Sequence, residues 1–312
     1  MIRWLVLAAV LLTAAGDGFA GELRLLSYNV RGIPPVITFF GRPGTRIPLI
    51  VEKLEDFDVA LLQETFSYQD VIERCATDAD CVTYHGPGRK FRWGHVIAAP
   101  VLGLCWLTPR CRLPTNSGLM TVAQPARVDT ERIAAERFER CWGYLIGGND
   151  CFAAKGFVLV RTTLADGAEV DIYNTHLDAA NWRWDRSTRK SQIAELGRAI
   201  AHYSAGRAVI VAGDFNFRKH RGEDLAPLER FQADLALADS TACADADVAD
   251  ARGLDRIFFR SGDRFHVDCV AAGVDPSFTY VRDGKERPLS DHDALAATFR
   301  ISRLAEATPG LE

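Results

Sequence analysis

Short apolar runs punctuate this chain, and most of them stop abruptly at a polar residue. Leu23 to Tyr28, Val59 to Leu62, Gly118 to Val122, Phe157 to Val160, Val170 to Tyr173, Ala208 to Ala212, Ile257 to Phe259 and Ala294 to Phe299 are rich in β-branched or aromatic side chains and end in glycine or polar positions. Runs of that length and composition predict strands, because a buried helix needs a longer apolar pattern. Helical spacing is clearest from Arg186 to Tyr203, where Ile193, Leu196, Ile200 and Tyr203 fall on one stripe. Arg46 to Leu54 makes a second helix. Many strands with few helices between them predict an α+β fold, two packed sheets with helices over their outer faces. No Pro/Ser-rich linker, repeat or low-complexity tract divides the chain. One domain is therefore expected over residues 21–303, with a frayed tail at 304–312.

The first twenty residues follow a different pattern. Arg3 precedes an apolar run from Trp4 to Leu12, and small residues close the segment at Gly18-Phe19-Ala20. That layout predicts a signal peptide over residues 1–20, cleaved after Ala20. The run is too short to cross a hydrocarbon core of about 30 Å as a helix. The mature chain is expected to be secreted or periplasmic, and monomeric. Export changes the meaning of the cysteines. Cys75, Cys81, Cys105, Cys111, Cys141, Cys151, Cys243 and Cys269 are even in number, which in an oxidising compartment predicts four disulfides. Three close pairs point to neighbours bonding in order, while the count alone leaves many pairings open. Zinc would need tighter clusters than Cys75 to Cys81 or Cys105 to Cys111 provide.

Without residues 1–20, 36 Lys and Arg face 40 Asp and Glu, a net charge of −4. Such a balance is not that of a general polyanion trap. Two short basic stretches remain, Arg183 to Lys190 and Arg218 to Arg221, and the first reads as a solvated helix face.

Chemistry enters where the strands end. Leu23 to Tyr28 stops at Asn29, and Ala60-Leu61-Leu62 runs into Gln63-Glu64. Val170 to Tyr173 leads to Asn174-Thr175-His176-Leu177-Asp178, and Val209 to Ala212 leads to Gly213-Asp214-Phe215-Asn216. Leu254-Asp255-Arg256 and Ser290-Asp291-His292-Asp293 follow. Each residue alone is more often a turn former or a solvated polar group. Together, and in this order, Ser-Tyr-Asn29-Val-Arg, Gln63-Glu64, Asn174-Thr175-His176-Leu177, Gly213-Asp214-Phe215-Asn216, Leu254-Asp255-Arg256 and Ser290-Asp291-His292 resemble the endonuclease/exonuclease/phosphatase superfamily over about Leu23 to Arg300.

The resemblance implies a four-layer α/β/β/α sandwich of two mainly antiparallel sheets flanked by helices, and a Mg²⁺-dependent phosphoric diester hydrolase. It implies that Glu64 ligates one Mg²⁺, which Mn²⁺ could replace, with Asn29 beside it and Asp291 on or near the metal shell. Hard oxygen donors of this kind suit Mg²⁺ better than zinc. His292 becomes the general base, oriented by Asp255. Asp214 and Asn216 then orient water and phosphoryl oxygens, and His176 donates to the phosphate. Arg256 stands where many superfamily members carry an aromatic residue. His85, His95, His202, His220 and His266 match no motif.

Fold alone does not choose a substrate in this superfamily. Lys155-Gly156 before a strand, Asn116-Ser117-Gly118-Leu119 and Asn174-Thr175-His176-Leu177-Asp178 are similar to the sphingomyelinase-C-like branch, which makes Lys155 a substrate-binding candidate. Its plain alternative is an exposed charge at a strand edge. Residues 93–107, an apolar stretch from Val96 to Leu107 behind Trp93, would suit shallow contact with a lipid surface or equally a buried strand pair. Arg218-Lys219-His220-Arg221 supports the alternative, a secreted deoxyribonuclease-like endonuclease acting on nucleic acid. A catalytically inactive binding module is disfavoured, since every expected catalytic position is filled.

Overall fold

Alternate side chains of the first strand, β1 (Ala20–Asn29), serve two different cores. Leu23 and Leu25 pack into one apolar cluster, while Leu26 and Tyr28 pack into another. That is the period of two a pleated strand imposes, and it requires a sheet buried on both faces. The computed structural model describes residues 20–33, 42–74, 81–88, 116–143, 150–218, 222–243 and 253–305.

One six-stranded sheet combines β1 with β2 (Val59–Gln63), β3 (Val82–His85), β4 (Met120–Ala123), β11 (Phe265–Val274) and β14 (Leu295–Arg303) in the order β11-β14-β1-β2-β4-β3. The other contains β5 (Val128–Arg137), β6 (Gly156–Leu164), β7 (Glu169–His176), β8 (Val209–Asp214), β9 (Ala238–Asp239) and β10 (Asp255–Arg260), ordered β5-β6-β7-β8-β10-β9. A hairpin, β12 (Thr279–Arg282) with β13 (Lys285–Pro288), stands apart. Leu23, Leu25, Val59 and Phe299 of the first sheet meet Val170, Ile172, Ile210 and Ile257 of the second in a shared core. Helix α1 (Pro43–Lys53) covers the outer face of the first sheet through Ile47 and Ile50. The short α2 (Gln69–Ile72) adds Ile72 to the same cluster. Helices α3 (Arg183–Tyr203) and α4 (Gly222–Leu235) cover the second sheet through Ile193, Leu196, Ile200, Leu228 and Phe231. The expected α/β/β/α sandwich is the fold. No helix among the described residues is long and apolar enough to cross a membrane.

Each sheet contains one parallel pair among antiparallel neighbours, β1 with β2 and β7 with β8. Parallel neighbours need a crossover, usually helical; α1 lies in the first connection and α3 in the second. Both pairs therefore finish at a place where the chain must leave the sheet. Gly213 makes the second junction possible. Its φ is 146°, and a Cβ there would fall 1.9 Å from the Thr175 carbonyl oxygen. Gly213→Ala is expected to destabilise the protein by roughly 3 kcal/mol or more, read as a lowered urea midpoint. An unchanged midpoint would mean that the β7–β8 junction yields freely.

Disulfides Cys141–Cys151 and Cys243–Cys269 follow the sequential order. The second joins the segment after edge strand β9 of one sheet to edge strand β11 of the other. Cys81 is also disulfide-bonded. Cys75, Cys105 and Cys111 lie outside the described residues, as do residues 1–19 and 93–107. Alkylation without reduction, followed by mass spectrometry, should label none of the eight cysteines; labelling of two or more in folded protein would overturn four bridges.

Candidate active site

In both parallel pairs the carboxyl ends stand in register, Asn29 beside Gln63 and His176 beside Asp214. Because the sheets pack face to face, these ends form one site. Asn29 Nδ2 donates to Glu64 Oε1 and to Asp214 Oδ2, both at 3.1 Å, so one amide links carboxylates from the two sheets. Beneath it, Gln63 Nε2 donates to Asn174 Oδ1 at 2.9 Å, and Asn174 Nδ2 returns to the Leu62 and Met120 carbonyls at 3.1 Å. This buried polar bridge fixes the sheets' relative position under the site.

Asp214 is the meeting point. Its Oδ2 lies 3.4 Å from His176 Nε2 and 3.8 Å from His292 Nε2. Glu64, His176 and Asp214 offer ligand atoms within 4.8 Å of one another, as do Asp214, Asp255 and His292. Strand β10 begins at Asp255 directly opposite Asp214. His292 Nδ1 is 2.7 Å from Asp255 Oδ2, which leaves Nε2 facing Asp214. Asn216 closes the floor: its N–H donates to Asp214 Oδ1 at 3.0 Å and its Nδ2 to the Leu177 carbonyl at 3.1 Å.

Lys155 is buried, at 4% exposure, and so is no exposed strand-edge charge. Its ammonium contacts Asp150 Oδ1 at 2.8 Å, the Leu177 carbonyl at 2.7 Å and His176 Nε2 at 2.8 Å. An ammonium only donates, so Nε2 of His176 accepts and the ring proton sits on Nδ1. Asp291 stands apart from the carboxylate cluster, paired with Arg31 at 2.9 Å, both partly exposed.

Electrostatics separate the groups. Burial pushes the Glu64 and Asp214 carboxyls up. Burial, followed by the nearby Lys155 charge, holds His176 well below the usual imidazole range. Burial works against a charged His292 too, but its hydrogen bond to Asp255 and the charges of Asp255, Asp214 and Asp291 outweigh it and push the ring up to about 10. Two backbone outliers sit here. Glu64 and Asn216 both have φ of 55°, tolerable for asparagine but costly for glutamate, so Glu64 is held in place by its surroundings.

Sequence reasoning did not single out the arginines that set the loops. Arg46 of α1 donates to the carbonyls of Val30, Arg31 and Leu289, gathering the segments that carry Asn29 and His292. Ser290 Oγ joins them by donating to the Asn29 carbonyl at 2.6 Å. Arg189, fully buried in α3, donates to the Asp178, Ala179 and Ala180 carbonyls just beyond His176. The available signal was a polar residue on an apolar stripe: Arg189 is four residues before Ile193. Arg256 turns to the Gly253 carbonyl and to Asp239.

A family model described as Endonuclease/Exonuclease/phosphatase family matches residues 26–292. The chain belongs to that family. Sphingomyelinases of Mycobacterium bovis and Mycobacterium tuberculosis are 25% identical over 297 residues, 91% of this chain and 54% of theirs, so the chain spans about half the length of these curated relatives. The fold is similar to that of a mutant beta toxin from Staphylococcus aureus with bound magnesium ions, with TM-score 0.58 and 16% identity over 89% of this chain and 99% of that one. It is similar also to D. rerio TDP2 complexed with single strand DNA product, with TM-score 0.59 and 17% identity over 89% and 98%.

Proposed function

We propose that this chain is an exported, Mg²⁺-dependent phosphodiesterase of the sphingomyelinase-C-like kind. One observation carries the reading: Glu64, His176, Asp214, Asp255 and His292 converge where the carboxyl ends of both parallel pairs meet. The donor set fits a single divalent cation. Two carboxylates share one amide hydrogen-bond donor group and are both pushed toward protonation by burial, and a hard cation is the partner such oxygens favour. Glu64 would hold the ion with Asn29 beside it, and Asp291 would contribute from the rim. When bound, Mg²⁺ or Mn²⁺ supplies charge neutralisation and polarises a phosphoryl oxygen.

Hydrolysis joins the oxygen of water to phosphorus as the bond to the leaving alkoxide breaks in line. His292 would take the water proton at Nε2 while Asp255 fixes Nδ1 and favours the imidazolium formed. A pKa of about 10 keeps the ring charged until the facing carboxylates are neutralised. The same value supports a second assignment, with Asp214 taking the proton and an imidazolium at His292 facing the phosphate. Asn216 and Asp214 would orient water and phosphoryl oxygens. His176 would donate to the phosphate from Nε2 after giving up its Lys155 contact and moving its ring proton from Nδ1 to Nε2, and Lys155 would supply the positive potential behind it.

Likeness to sphingomyelinases along 91% of the chain supports a phospholipid phosphodiester. A neighbour bound to DNA product and the exposed Arg218 beyond Asn216 support the nuclease alternative. Sphingomyelin, phosphatidylcholine, inositol phosphates and single- and double-stranded DNA, offered to the mature protein with Mg²⁺, decide between them. Sphingomyelin should give the highest kcat/KM; preferential cleavage of DNA would replace the lipid reading.

A further inference from the structure

Trp182 and Trp184 stand in solvent at 64% and 47% exposure, and no other Trp, Tyr or Phe among the described residues is exposed to that degree. Both lie at the start of α3, at the carboxyl end of β7, six residues or slightly more beyond His176. Trp184 contacts the Trp142 ring at 5.4 Å between centroids and the Arg183 guanidinium at 4.4 Å. Trp142 is no loose appendage. Its backbone N–H donates to Asp178 Oδ2 at 2.7 Å, two residues past His176, and the neighbouring Cys141–Cys151 disulfide anchors it. The aromatic corner is thus tied to the loop that directly follows His176 at the end of β7.

Charge around it breaks a local rule. Arg183, Arg186 and Lys190 occupy the first turns of α3, with Asp185 the acid among them. Arg186 donates to the Asn181 carbonyl at 3.0 Å, but cations in the first turn of a helix oppose the macrodipole, so the dipole does not account for Arg183 and Arg186. Indole rings with an apolar body and an N–H, beside long cationic side chains, match the boundary between acyl chains and phosphate headgroups.

We propose that Trp182, Arg183 and Trp184, backed by Trp142, form the face that docks this enzyme on a phospholipid surface with anionic headgroups, presenting the site at the ends of β7 and β8 to it. This rests on the lipid reading above, and the test separates the two. Wild type and the Trp182→Ala/Trp184→Ala double variant would be sedimented with vesicles of equal parts phosphatidylcholine and phosphatidylserine. Rates would be measured on sphingomyelin vesicles and on the soluble diester bis(p-nitrophenyl) phosphate.

Partition of the double variant should fall roughly tenfold or more, with vesicle turnover falling in parallel and the soluble rate unchanged. Trp182→Phe/Trp184→Phe should retain most of the partition. Absence of wild-type vesicle binding, or unchanged partition in the alanine variant, would overturn the docking face. An equal loss on the soluble diester would make the corner a support of the site, and loss of single-stranded DNA binding with vesicle binding intact would make it a base-stacking platform; either overturns the proposal. Wild-type protein that docks through these tryptophans but leaves sphingomyelin intact would overturn only the substrate reading.

Discussion

Glu64→Gln is expected to lower kcat/KM at fixed Mg²⁺ by more than roughly a hundredfold, since loss of even an outer partner of a metal ligand costs about ten- to a hundredfold. The variant keeps the side-chain shape and an oxygen that can accept from Asn29 Nδ2, so the fold should persist. Its amide brings no charge to the metal. Calorimetric Mg²⁺ titration should show weakened binding, and unfolding should remain cooperative. Near-wild-type turnover at modest Mg²⁺ would remove Glu64 from the metal site.

His292→Ala should lower kcat by about 10²–10⁴-fold, the usual contribution of positioned proton transfer, with little change in substrate binding. Asp255→Asn should damage the same step, because Asp255 holds Nδ1 of the ring at 2.7 Å. The two losses should not multiply. Residues that act as one unit are strongly non-additive, so the double variant should be little slower than His292→Ala alone. Independent effects would dissolve the dyad. If His292→Ala kept most of its rate and Asp214→Asn did not, the proton would belong to Asp214.

Much of this arrangement is legible in the chain. The apolar runs that end at Asn29, Gln63, His176 and Asp214 become β1, β2, β7 and β8, because strands buried on both faces carry continuous apolar side chains. Half-exposed strands escape the same reading. Strand β5, Val128–Arg137, buries Val128 while its remaining residues are half-buried or exposed, and β11 alternates buried Phe265 and Val267 with exposed His266 and Asp268. Helix α4 carries Pro227 inside it, a residue that normally argues against a helix interior.

The site divides along a similar line. Residues at strand ends are recognisable as an ordered set, though not one by one, but that Asn29 of one sheet bonds Asp214 of the other is a fact of packing with no local signal. Lys155 demonstrates the limit. In the sequence it precedes a strand and fits either a substrate contact or a surface charge, whereas packing buries it against Asp150 and His176. Arg46 acts through the carbonyl of the distant Leu289 and Arg189 through those of the loop just before its own helix, and only their intrusion into apolar helix faces betrays them.

The rate of phosphocholine release from sphingomyelin by the purified protein, followed with Mg²⁺, after chelation and after Mg²⁺ is restored, tests the central claim most directly. Release should be rapid with Mg²⁺, vanish with chelator and return on restoring the ion. Equal release in chelator, or no release of phosphocholine under any of the three conditions, would contradict a metal-dependent lipid phosphodiesterase site at these strand ends.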